Sequence, residues 1–219
     1  MTESSELKAR ILEAARREPS ATRRHAATQT AIVVAAAIVV DLGLFFGFGG
    51  ATWGPRPIPF VLATQAGSLL FALLAVWGAF GRGRSMLGRT NRWLLWIAIG
   101  TPILLMSWTL FWSALYPESA LTMPQRVGLR CLGFSLALAA WPLALIIRAR
   151  REKNPVAPVA AGAARGAAIG ALAWVLVALW CPVVSPSHLA IGHFLPLFIL
   201  SVLGGWLGQR MTAVYSRAS

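Results

Sequence analysis

Six uninterrupted apolar runs dominate the chain, at about 28–50, 58–80, 93–115, 127–147, 160–180 and 189–208. Each approaches the roughly 20 apolar residues that a helix needs to cross a hydrocarbon layer about 30 Å thick. The polar connections between them are short, which predicts that consecutive spans are antiparallel neighbours. Before the first run the pattern changes. Leu7, Ile11, Leu12 and Ala15 recur at helical spacing, while Lys8, Arg10, Glu13, Arg16 and Arg17 fill the other face. Pro19 ends that helix. The expected fold is all-α, a polytopic membrane bundle of six transmembrane helices with a short N-terminal cytoplasmic amphipathic helix. It divides into a partner-binding segment (1–25), a membrane domain (26–210) and a tail (211–219).

Composition agrees with the pattern. The 219 residues are 57% hydrophobic and 12% charged, with a mean hydropathy of +0.66. A soluble domain carries about 25% charged residues. The first 25 residues contain no apolar core, so no cleavable secretion signal is expected there.

Charge placement predicts the orientation. Six of the 20 Lys and Arg precede the first span, four lie in 81–92, five between 148 and 165, and two follow the last span. The opposite side holds Arg56, Arg126 and Arg130, a ratio of 17 to 3. Basic residues collect on the cytoplasmic side, so both termini are expected in the cytoplasm. The net charge of +13 then needs no nucleic acid, because anionic lipid faces the same side.

Several features inside the spans carry packing or chemistry. Gly162, Gly166 and Gly170 form a small-residue ladder, as do Gly43 with Gly47 and Gly204 with Gly208, and such ladders let helices approach closely. Pro102, Pro142 and Pro196 are expected to kink their helices. Asp41 is the one acidic residue well inside a span, where a charge costs about 2.5–3.5 kcal/mol and needs a partner. Asp41, Gln65, Arg130 and His193 all fall in the outer half of the bundle by helical rise. They are the expected intramembrane polar cluster, with Asp41–Arg130 as its pair.

The last outside loop concentrates reactive side chains. Cys181 closes the fifth run, Pro182 and Pro186 stop the helix from continuing, and His188 and His193 follow. These are metal-ligand types, but three ligands at irregular spacing fall short of the four that a structural zinc site needs. The favoured reading is a capped helix start, with His188 in the interface and His193 hydrogen-bonded in the bundle. Cys131 also falls near the outer face, which leaves a Cys131–Cys181 disulfide open and makes Cys131, Cys181 and His188 candidates for sensing or redox chemistry. No cofactor or metal is expected. The chain contains no GxSxG, HExxH or Walker motif, and four of its seven acidic residues precede Pro19, so no enzyme is expected.

Two stretches together resemble a known family. They are LKARILEAARREPSATRR at the N-terminus and CP…SPSHLAIGHFLP…LGGWLGQR at the final hairpin. With six spans in a chain of this length, they are similar to the bacterial six-span inner-membrane anti-sigma family named for a negative regulator of the F-type sigma factor. The resemblance implies that the protein sequesters an extracytoplasmic-function sigma factor at the membrane and releases it on a signal. Leu7, Ile11 and Leu12 would enter a hydrophobic groove of the partner. Arg16, Arg17, Arg23 and Arg24 would meet an acidic partner surface or membrane lipid. Direct nucleic-acid binding is not expected, and a homo-oligomer is left open. Rival readings are a small transporter or channel, a subunit of a larger membrane assembly, and a metal- or haem-binding membrane protein using Cys181, His188 and His193.

Overall fold

The computed structural model describes residues 23–51, 56–80, 90–117, 128–149 and 157–215. Leu7, Ile11, Leu12, Arg16 and Arg17, and with them the expected amphipathic helix, lie outside the described residues. All regular structure in the described residues is helical. The helices are α1 (Arg23–Gly47), α2 (Ile58–Phe80), α3 (Asn91–Leu115), α4 (Leu129–Ala149), α5 (Pro158–Trp180), the short α6 (Pro186–Leu189) and α7 (Leu195–Tyr215). A π turn, Ala190–Phe194, joins α6 to α7 into one continuous rod.

Every apolar run therefore appears as a helix. Four helices are long and apolar enough to cross a membrane: Ile58–Phe80, Asn91–Leu115, Pro158–Trp180 and Pro186–Arg210. Two apolar stretches are shorter, Ala35–Gly47 in α1 and Leu129–Leu145 in α4. Arg23 and Arg24 lie within α1.

The bundle is organised around α5, which packs against α2, α3, α4 and α7. Its sequence explains why. Ala160, Ala161, Gly162, Ala164, Gly166, Ala167, Ala168, Gly170 and Ala171 are all buried, and residues this small let four helices crowd one axis. The tightest approach is to α7. A Cβ at Gly162 would overlap the carbonyl oxygen of Gly204, one at Gly166 that of Leu200, and one at Gly208 that of Pro158. The α5 ladder and the Gly204–Gly208 pair are thus two halves of one interface. The Gly43–Gly47 pair behaves differently, because a Cβ at either position would meet nothing within 4 Å. Helix α1 leans chiefly on α4 and leaves that face open.

Hydroxyl groups inside the helices are satisfied locally. Thr64 donates to Phe60 O at 2.8 Å, Thr109 to Leu105 O at 2.9 Å and Ser201 to Leu197 O at 2.9 Å. Back-bonding of this kind suits an environment that offers no water to a hydroxyl. Near the helix ends, Trp93 is exposed and Trp180 donates its ring N–H to Phe48 O at 2.9 Å.

Candidate Cys/His site at one end of the bundle

The prolines act as the sequence predicts. Helix α5 stops at Trp180, Cys181 caps it through a 2.7 Å bond from its N–H to Val177 O, and α6 restarts with Pro186 in its first turn. Pro196 has the larger consequence. It has no N–H to give to Gly192 O, so the next available donor reaches further back: Leu195 N–H bonds Ala190 O, which closes the π turn. The carbonyl of Gly192 is taken instead by Ser135 Oγ of α4, at 3.4 Å. A second contact fixes α4 against the same turn. Gly128 has φ +85°, and a Cβ there would stand 2.9 Å from both Gly192 N and His188 O. Only glycine meets both demands.

This docking brings Cys131, three residues into α4, against the final hairpin. Cys131 Sγ lies 3.3 Å and Cys181 Sγ 3.2 Å from the same His188 Nε2. The His193 ring is 5.7 Å from that of His188 and 5.3 Å edge-on from Trp174. All four residues are buried, and one ligand atom from each falls within 4.8 Å of all the others. The two cysteines are free thiols. Two sulfurs and two imidazole nitrogens in a buried pocket are the donor set of a tetrahedral zinc or a soft copper(I) site.

Four donors replace the three expected from the hairpin alone, and the missing one is Cys131. His188 is buried within the bundle rather than placed at an interface. His193 is buried too, yet neither of its ring nitrogens has a partner at hydrogen-bonding geometry among the described residues, contrary to the expected bonded histidine. The Cys181 thiol is held below its ordinary value first by a hydrogen bond from Cys131, then by the two imidazoles, with burial opposing them.

The expected intramembrane cluster divides. Gln65 and His193 line one cavity. Arg130 is exposed, because Cys131 faces the π turn and the preceding residue on a helix lies about 100° away. Asp41 is half-buried on α1, and its Oδ1 is shielded without a hydrogen-bond partner among the described residues. The Asp41–Arg130 ion pair is not formed. Sequence reasoning missed Arg56, which is only 8% exposed and donates Nη1 to Ala178 O at 3.1 Å and Cys181 O at 3.3 Å. Burial lowers its pKa, and the Cys181 sulfur opposes that shift. A lone arginine between Pro55 and Pro57, on the charge-poor side, was the available signal.

A family model described as "negative regulator of sigma F" matches residues 9–213. The chain belongs to that family. The match covers the described helices and reaches back into the N-terminal segment, so the resemblance read from the two ends of the chain extends through its middle. Membership assigns the protein an anti-sigma role, with a sigma factor as its partner. No curated protein and no solved structure matches the chain.

Proposed function

We propose that this family member is a multi-pass protein of the bacterial inner membrane, with six spans and both termini in the cytoplasm. It holds an extracytoplasmic-function sigma factor inactive through residues 1–25 and releases it on a signal received at the outer Cys/His site. The observation that carries the reading is the family match over nearly the whole chain. The apolar helices and the 17-to-3 charge asymmetry support the membrane placement.

The chemistry divides between the two faces. Residues 1–25 hold Leu7, Ile11 and Leu12 at helical spacing, a pattern suited to a hydrophobic groove, with Arg16, Arg17, Arg23 and Arg24 for acidic surface or lipid. On the other side, Cys131, Cys181, His188 and His193 join α4 to the final hairpin. A soft metal ion bound by all four would cross-link those elements. Oxidation of the two thiols to a disulfide, losing two protons and two electrons to an external oxidant, would do the same. Either event changes the packing of α4 and α7 on the central α5, and that rearrangement is the route to the cytoplasmic segment.

The test is co-purification. Intact protein in native membranes brings down a sigma factor, and protein lacking residues 1–25 does not. Recovery of no sigma factor with the intact protein, or equal recovery with the truncated one, refutes the reading.

A further inference from the structure

Adjoining the Cys/His site and sharing Cys181 and His193 with it is a small cavity of about 20 Å³, lined by α2, α3, α5 and the hairpin. That is room for one water molecule, which occupies at least about 10–15 Å³ by this measure. Its wall is largely apolar, but six of its thirteen lining residues carry polar groups: Arg56, Thr64, Gln65, Ser68, Thr109 and His193. The hydroxyls of Thr64 and Thr109 already donate to their own helices. Gln65 Oε1 and both ring nitrogens of His193 are shielded from solvent and make no hydrogen bond to any described protein atom. His193 is 2% exposed.

Leaving such groups without partners is costly, and buried polar atoms in folded proteins are nearly always satisfied by protein or by ordered water. A dry cavity fits wholly apolar walls, whereas two or more convergent unsatisfied polar groups fit a bound water. We propose that this cavity is a binding site for a single structural water that bridges Gln65 on α2 and His193 on the π turn. The water donates one hydrogen to Gln65 Oε1 and is bonded to a His193 ring nitrogen. Threonine and serine oxygens complete its shell.

The consequence reaches the Cys/His site. His193 is shared: it lines the cavity together with Cys181, and its ligand atom lies within 4.8 Å of the two sulfurs and His188. Its imidazole has two nitrogens, enough for one bond to the water and one to the cluster. The water therefore ties α2 to the residue that completes the four-donor cluster. Two elements with no direct side-chain bond between Gln65 and His193 become one hydrogen-bonded unit. This inference does not depend on the sigma-factor reading.

Two measurements on the full chain in lipid nanodiscs test it. The first is hydroxyl-radical labelling by brief X-ray exposure, read by mass spectrometry. Phe60 lines the cavity and is 1% exposed, while Phe45 and Phe134 are each 5% exposed and lie elsewhere. A resident water generates radicals beside Phe60, so Phe60 is modified several-fold more than either control. Protection of Phe60 equal to theirs overturns the proposal. The second is thermal unfolding of Gln65→Leu. Loss of a water-bridged amide lowers Tm by about 3–8 °C. In a dry cavity the same change removes an unsatisfied amide, so an unchanged or raised Tm also overturns it. If the variant does not fold, the labelling of the unaltered chain decides.

Discussion

Replacing Gly162 with alanine tests the central packing claim most directly. The added methyl would occupy the space of the Gly204 carbonyl oxygen, closer than carbon and oxygen can approach. The obstacle is backbone, so no side-chain rotation relieves it. Helices α5 and α7 must separate locally, and Gly166 and Gly208, on the same interface, are drawn away from Leu200 O and Pro158 O. Overpacking of this kind costs about 1–3 kcal/mol. That changes the folded-to-unfolded ratio by a factor of about 5–140, taking about 1.4 kcal/mol per tenfold. Gly43→Ala is the internal control, because nothing lies within 4 Å of its added methyl. Alanine is the better helix former by about 0.8–1.0 kcal/mol, so that variant should be neutral or slightly more stable. Both are measured by reversible unfolding in mixed detergent micelles. Equal midpoints for the two variants would show that α5 and α7 do not meet in the tight interface described.

Other outcomes follow from the Cys/His site. The full chain should bind one zinc ion, and Cys131→Ser should weaken it by about 10²–10³, from about 10–16 kcal/mol shared among four ligands; chelator competition reads this, and equal affinity in the variant removes Cys131 from the ligand set. Zinc affinity should fall as pH drops, because binding requires deprotonated thiols and neutral imidazoles, so protons compete for every donor; a flat profile between about pH 8 and 6 contradicts this. Arg56→Gln should lower stability by about 1–3 kcal/mol, since the carbonyls of Ala178 and Cys181 lose their shared donor, and a chemical denaturation midpoint equal to that of the unaltered chain counts against it. Pro196→Ala restores an N–H that competes with Ser135 for Gly192 O, so it should reset the π turn towards an α-helix, rotate His193 and weaken zinc binding in the same chelator assay; unchanged affinity would separate the π turn from the site.

The positions of the helices and their ends were legible in the chain itself. Apolar run length marks each helix, and the prolines at 182 and 186 enforce the break after Trp180, because both effects are local to a few residues. The small-residue character of α5 was legible for the same reason. Which faces meet was not. In a helix that is apolar all round, the side facing lipid and the side facing protein have nearly the same composition, so periodicity carries no instruction about orientation. That is why two glycine ladders looked alike in the sequence, while the structure packs Gly162–Gly166 against α7 and leaves Gly43–Gly47 open. It is also why Arg130 was expected inside. The four-donor site was beyond sequence for a further reason. Cys131 and Cys181 belong to different helices, and they meet only because Gly128 admits the π turn and Pro196 creates it. Local chemistry set the parts, and long-range backbone packing decided their assembly.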